Sequence, residues 1–250
     1  MSHHCEDEHH SHSNSHGHGH SHSHQPPIPT NPQQSLYQYI DTAKICILNG
    51  KPIPTNATPS VSTFLKNQDH KFVCNTYLET DSDCQLIIHL PFIGNCKIYS
   101  IIIRNNSDNL SNDLSTPKKV RLFKNFNKTL HFDTITDSKE DYSIECPKNI
   151  GITTSANDLE INTDENTFVE HYLPRNQFQN TNSLTIFWEN NWSDDEDLLL
   201  RLYYLEIRGE FLGISKARST VPGTLVYESA PNPADHVSLE NDKEHANLGM

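Results

Sequence analysis

From about residue 45 to residue 211 the apolar residues come only in short runs, rich in Ile, Val, Phe and Tyr and closed off by Asn, Asp, Ser, Gly and Pro. No other feature restricts the possible folds as much. Strands need runs of about 4–8 such residues bounded by turn formers, whereas a helix needs a 3.6-residue period sustained over roughly ten or more. The candidate strands are AKICILN, KFVCN, QLIIHLPF, KIYSIIIRN, KKVRLFKN, YSIECP, FVEHYL, SLTIFWEN and LLLRLYYLEIRGEF. Short strands without intervening helices predict an all-β fold, an antiparallel β-sandwich or jelly roll.

The alternation within these runs predicts their surroundings. In KKVRLFKN, Val120 and Leu122 face one way and Lys119 and Arg121 the other, so one face lies on a core and one in water. In KIYSIIIRN both faces are apolar: Ile98 and Ile102 share one, Tyr99, Ile101 and Ile103 the other. This strand is expected to be central and covered on both sides. In LLLRLYYLEIRGEF the apolar phase runs through Leu198, Leu200, Leu202 and Tyr204 and then slips to Leu205 and Ile207, which predicts a β-bulge or a strand changing sheets. Gly94 and Asn95 predict a short turn pairing QLIIHLPF with CKIYSIII. Trp188, in phase with Ile186 and Leu184, is expected in the core. Trp192, beside the acidic run Asp194–Asp197, is expected in a loop at one end of the sandwich, either as a contact residue or folded onto the rim.

Ahead of these strands, ten of the 16 histidines fall in the first 24 residues, MSHHCEDEHHSHSNSHGHGHSHSH. Imidazole binds divalent metals, but Ser and Gly alternating with His supply neither a set geometry nor oriented supporting partners, so no dedicated metal site is expected there. With QPPIPTNPQQ behind it, the tract reads as a disordered tail over residues 1–34, followed by a domain over 35–236 and a flexible tail over 237–250.

Composition excludes several functions. A net charge of −13, with no cluster of Lys and Arg, argues against nucleic acid. Neither an apolar leader nor a run of about 18 apolar residues is present, so the expected address is the cytoplasm or nucleus, with no membrane contact. There Cys5, Cys46, Cys74, Cys84, Cys96 and Cys146 read as free thiols. The nearest-spaced pair, Cys74 and Cys84, flanks Glu79, Asp81 and Asp83, which should raise thiol pKa.

The common catalytic motifs are missing: no Gly-x-Ser-x-Gly elbow, no phosphate-binding Gly-x-x-x-x-Gly-Lys loop, no His-Glu-x-x-His. DLEINTD (158–164) resembles a calcium loop but has Thr163 at the glycine position and Val169 where the bidentate Glu belongs, so a surface loop is expected. Asp235 and His236 are adjacent and point to opposite sides of an extended chain, which is no acid–base dyad. His70, His89, His131 and His171 stand isolated from any other ligand in sequence. No catalytic, cofactor-binding or metal-ligating residue is therefore assigned, no cofactor is expected, and the protein is expected not to be an enzyme.

LPFIGNCKIYSIIIRN, PKKVRLFKN, LYYLEIRGEF and YESAPNPADH, in that order, resemble the PITH domain, the module named for proteasome-interacting thioredoxin proteins. The resemblance implies a galactose-binding-like β-sandwich of jelly-roll type. In the thioredoxin-like relatives the module docks onto the proteasome regulatory particle. This chain has no Trp-Cys-Gly-Pro-Cys motif, so disulfide reductase activity does not carry over. The matched positions, Pro91, Phe92 and Gly94, then Arg208, Gly209 and Glu210, then Asn232, Pro233, Asp235 and His236, are implied to be fold or docking markers. The expected function is that of a monomeric, non-catalytic module binding the proteasome regulatory particle or a related protein assembly. The alternative is a lectin-like sandwich binding a small ligand or glycan at its loop end through aromatics such as Trp192.

Overall fold

A computed structural model describes residues 28–108, 110–153 and 160–214. The His-rich tract, most of DLEINTD's flanking loop, and the motif residues Asn232, Pro233, Asp235 and His236 lie outside the described residues.

The fold is the expected antiparallel β-sandwich. Its strands are β1 (Cys46–Leu48), β2 (Gly50–Ile53), β3 (Tyr77–Thr80), β4 (Leu86–Asn105), β5 (Lys119–Lys124), β6 (Tyr142–Glu145), β7 (Val169–Tyr172), β8 (Thr181–Trp188) and β9 (Arg201–Gly213). One α-helix, α1 (Phe132–Thr136), accompanies them among the described residues. β4 organises the whole. Its first half, Leu86–Pro91, pairs with β8 on one side and β1 on the other. Its second half, Cys96–Asn105, pairs with β9 and β7. One layer is therefore β1–β4–β8–β5–β6 and the other β7–β4–β9–β3–β2, with β4 common to both. A second crossing lies at Asn49, between β1 and β2. This residue adopts a left-handed conformation (φ 59°), and its side-chain amide donates to Asp83 Oδ1 (2.8 Å) and the Gln85 carbonyl (2.6 Å).

The main core fills the space between the layers. Ile88, Leu90, Val120, Leu122, Leu184, Ile186 and Trp188 come from one, and Leu78, Ile98, Ile101, Ile103, Leu202, Leu205 and Ile207 from the other. Trp188 is fully buried, as its phase requires. The phase slip in β9 is a bulge: Arg104 pairs with Tyr204 and Asn105 with Leu202, leaving Tyr203 extra, so Leu200, Leu202, Leu205 and Ile207 can all reach the core. A second bulge, at Tyr99 on β4, moves Ile98 into phase with Ile101 and Ile103, and both faces of this strand are buried as expected.

Three local expectations are corrected. Gly94 and Asn95 do not close a hairpin: the chain bends there and continues, because each half of β4 is already paired on both sides with other strands. KFVCN contributes only the isolated bridge Val73↔Ile161, whereas GKPI and YLET, unrecognised in the sequence, form β2 and β3. The outer face of β5 is not in water. Arg121 (5 % exposed) and Phe123 (2 %) lie beneath α1 and its flanks, where Ile87, Phe123, Ile135 and Phe187 make a second apolar cluster. Arg121 is held there by Glu189, Glu140 and the carbonyls of Thr136 and Ser138.

Candidate functional site

The expected motif positions on β4 and β9 meet where β4 changes layer. The Pro91 carbonyl accepts the Asp41 amide (2.8 Å), and Phe92, fully buried, bridges to Ile40. Gly94 passes under the end of β9: a Cβ there would stand 2.5 Å from the Gly213 carbonyl oxygen and 2.8 Å from the Phe211 ring. At Gly209 a Cβ would overlap the Lys97 carbonyl oxygen and come within 3.1 Å of both Ile98 Cα and Leu36 Cδ1. Both glycines therefore permit strand contacts that no side chain could share. Glu210 is exposed and accepts the Tyr99 hydroxyl (2.8 Å).

Apolar surface gathers at the same corner. Ile93 (45 % exposed), Leu212 (47 %) and Ile214 (66 %) remain open to solvent. Ile93 points away from buried Phe92, and Leu212 and Ile214 point away from Phe211, whose ring stacks on Tyr39 at 4.1 Å. Asn95 pairs with Gly213, so these three side chains lie on adjoining strands beside the contact between Gly94 and Gly213.

Arg208 lies on the outer face of the second layer, beside a cavity of about 210 Å³ lined by Lys71, Phe168, Glu170, Tyr204, Glu206 and their neighbours. Its Nε donates to Glu206 Oε1 (3.0 Å) and Nη1 to Thr30 Oγ1 (3.2 Å). Glu206 also accepts Gln68 Nε2 (2.8 Å) and the Tyr204 hydroxyl (3.0 Å). Burial opposes ionisation of Glu170, but hydroxyl donors from Ser100, Thr30 and Tyr172, with Arg208 beyond them, outweigh it and hold the carboxyl below its ordinary value. Burial, followed by the Glu206 charge, raises the Tyr204 phenol far above its usual range. The carboxylates of this face are thus largely satisfied from within, and the face is rigid rather than poised for proton transfer.

Two buried cations were not legible in the sequence. Lys66, 5 % exposed, directs its ammonium at the carbonyls of Val73 (2.8 Å), Thr76 (2.7 Å) and Tyr203 (2.7 Å), while burial pushes its pKa down to about 7. Arg104, fully buried, donates to Thr167 Oγ1 (2.7 Å), the Asn162 carbonyl (2.7 Å) and the Lys71 carbonyl (3.2 Å), and stacks on Phe168 at 4.3 Å. Their partners come from loops far away in sequence, and both cations fasten those loops to the sheet.

Trp192 folds onto the rim. Its Nε1 donates to the Cys146 carbonyl (2.8 Å), and Lys118 Nζ sits 5.0 Å from the ring centroid. Among the described cysteines only Cys46 is not buried. Burial first, then Asp83, Glu196 and Asp195, raises the Cys84 thiol to about 11, and burial raises Cys96 and Cys146 to about 12. The described residues contain no cluster of three His, Cys, Asp or Glu side chains able to hold a metal ion, and no helix among them is long and apolar enough to cross a membrane.

These features define an antiparallel β-sandwich domain with an apolar corner and a charged outer face, its strand crossings made possible by motif glycines. The chain belongs to the PITH domain family, whose profile matches residues 26–231. It is 27 % identical over 204 residues to PITH domain-containing protein 1 of Danio rerio, covering 82 % of this chain and 81 % of that protein. The human protein of the same name is 26 % identical over 212 residues, covering 85 % of each. Among solved structures, the lectin binding domain of lectinolysin aligns with 74 % of this chain and 99 % of its own, at 9 % identity and a TM-score of 0.40. The strand order and register given above define the fold independently of that partial overlap.

Proposed function

We propose that this domain is a protein-interaction module that docks through the corner of Ile93, Leu212 and Ile214, with the proteasome regulatory particle as its partner. The observation that carries the docking surface is the exposure of three large aliphatic side chains together, beside motif positions Pro91, Phe92 and Gly94. Solvated aliphatic surface concentrated at one place is a feature of contact sites, where a few desolvated side chains supply most of the binding energy. The partner is the one implied by the family resemblance, and the motif residues Asn232–His236 follow in the chain from the same corner. The lectin-like alternative would use Trp192 as a stacking platform, but that ring's N–H is committed to Cys146 and a lysine stands over the ring.

The test is quantitative affinity capture of the tagged full-length chain from its own cells at matched salt. It is run alongside Ile93→Asp/Leu212→Asp and a chain truncated after Glu228. Loss of one buried contact of about 1–2 kcal/mol lowers affinity roughly 5- to 30-fold. Enrichment of regulatory-particle subunits that falls by at least that factor in the Asp variant supports the proposal. Enrichment unchanged by the Asp substitutions refutes the corner as the interface, and absence of those subunits from the wild-type capture refutes the partner.

A further inference from the structure

The sequence leaves Cys46 and His89 as unrelated residues, but the register of the first layer makes them neighbours. Cys46 on β1 is the cross-strand partner of His89 on β4, and His89 is the partner of Thr185 on β8. Cross-strand partners project from the same face with Cβ atoms about 4.5–5.5 Å apart. That face is the outer one. The adjacent row, Leu48, Ile87 and Phe187, packs into the apolar cluster under α1, and residues two positions along a strand point the same way.

The three side chains stand in the order of a thiol, a base and a group that orients the base. His89 Nδ1 lies 2.8 Å from Thr185 Oγ1. In the tautomer where Nδ1–H donates to that oxygen, the ring's lone pair is on Nε2, the nitrogen remote from Thr185. Burial lowers the His89 pKa, so the imidazole is neutral and able to accept a proton at neutral pH. Cys46 is partly exposed on β1, which pairs with β4 alone among the described strands, whereas Cys74, Cys84, Cys96 and Cys146 are all buried.

We infer that Cys46 is a reversible thiolation site, with His89 as its base and Thr185 as the residue that positions His89; the co-reactant is a small-molecule disulfide. The thiol proton passes from Cys46 Sγ to His89 Nε2. The thiolate attacks one sulfur of the disulfide, a new S–S bond forms to Cys46, and the original S–S bond breaks. The displaced thiolate takes the proton from the imidazolium. The products are one mixed disulfide on the protein and one free thiol, with no net change in oxidation level. The reverse exchange with a free thiol restores Cys46.

The probe is oxidised glutathione, added to the folded full-length chain at pH 7.4. Mixed-disulfide formation is followed at each cysteine separately by peptide mass spectrometry, so that Cys5 is counted apart from the rest. Cys46 is expected to react faster than Cys74, Cys84, Cys96 and Cys146. His89→Asn is expected to slow Cys46 by about tenfold or more, the low end of what a positioned base contributes, with the melting temperature unchanged. Should His89→Asn fail to fold, Thr185→Val provides the second variant: it is expected to slow Cys46, and Thr185→Ser to retain the wild-type rate. A Cys46 rate no greater than that of the buried cysteines, or one unaltered in a folded His89→Asn or Thr185→Val chain, would overturn the inference.

Discussion

Replacing Gly209 with alanine tests whether the motif glycines serve strand packing, and the outcome can be worked from the structure. Gly209 has no left-handed φ, so alanine meets no backbone penalty and the effect is steric. The new Cβ overlaps the Lys97 carbonyl oxygen and lies 3.1 Å from Ile98 Cα and from Leu36 Cδ1. The first two are backbone atoms on β4, so no rotamer change relieves them. Either β4 and β9 separate or their ladder breaks, and this is the longest strand pairing in the domain. Overpacking costs about 1–3 kcal/mol where side chains can adjust, so the upper end applies here. Stiffening of the unfolded chain by alanine returns about 0.4–1 kcal/mol. The net loss is about 2–3 kcal/mol, which for a domain of this size lowers the melting temperature by roughly 4–12 °C. Two further glycines calibrate the scale. Gly94→Ala meets the Gly213 carbonyl at 2.5 Å and the movable Phe211 ring at 2.8 Å, near a strand end, and is expected to cost less. Gly213→Ala has nothing within 4 Å and only the strain of φ +102°, on the order of 1 kcal/mol. Thermal melts by circular dichroism, with urea midpoints as a check, should rank the losses Gly209, Gly94, Gly213. A Gly209→Ala melt within a degree of wild type, or a larger loss at Gly213, would refute the steric account.

Two titrations carry further expectations. Lys66 has a folded-state pKa near 7 against an ordinary 10.5, so from about pH 7 to 10.5 the unfolded chain holds a proton that the folded chain has released. Stability is expected to rise with pH across that window and the rise to flatten in Lys66→Met, measured by urea unfolding between pH 7 and pH 10; parallel wild-type and variant curves would count against it. His171 is desolvated on β7 with its Nε2 unpaired among the described residues, and its pKa falls to about 4 from 6.5. Here too the unfolded state binds the proton first, so stability is lost as pH falls from about 6.5 towards 4. His171→Gln should narrow the difference between the melting temperatures at pH 4.5 and pH 7, and an unchanged difference would refute the assignment.

Patterning exposes a residue's face but not what covers that face, and this separates the legible parts of the fold from the rest. Val120, Leu122 and Trp188 were placed by alternation because the main core is continuous and apolar. Arg121 and Phe123 were misplaced because α1 covers the other side of β5, and α1 is one short turn without a periodic stripe of its own. The β9 slip was legible because a bulge shifts the apolar phase within a single run. The β4 bend was not, since Gly94–Asn95 suits a bend as well as a hairpin turn. Only the lateral partners, about 90 and 115 residues further on, decide between them. β2 escaped notice because Pro52 and Lys51 break the apolar pattern expected of a strand, a composition suited to its place at the edge of the sheet.

The same division holds for the sites. Gly94, Arg208 and Gly209 stand in recognisable motifs, and the structure gives two of them a steric reason. Lys66, Arg104 and the row of Cys46, His89 and Thr185 carry no local signal, since their partners are remote in sequence and only register or loop packing unites them. The docking corner lies between these cases. Motif residues mark its location, but Ile93, Leu212 and Ile214 become a patch only because the bend in β4 turns Ile93 outward beside the end of β9. A substitution that straightened this bend would therefore abolish the proposed docking surface without removing any of its three side chains. Gly94→Ala is expected to act on binding as well as stability for that reason, through the strand contact it disturbs.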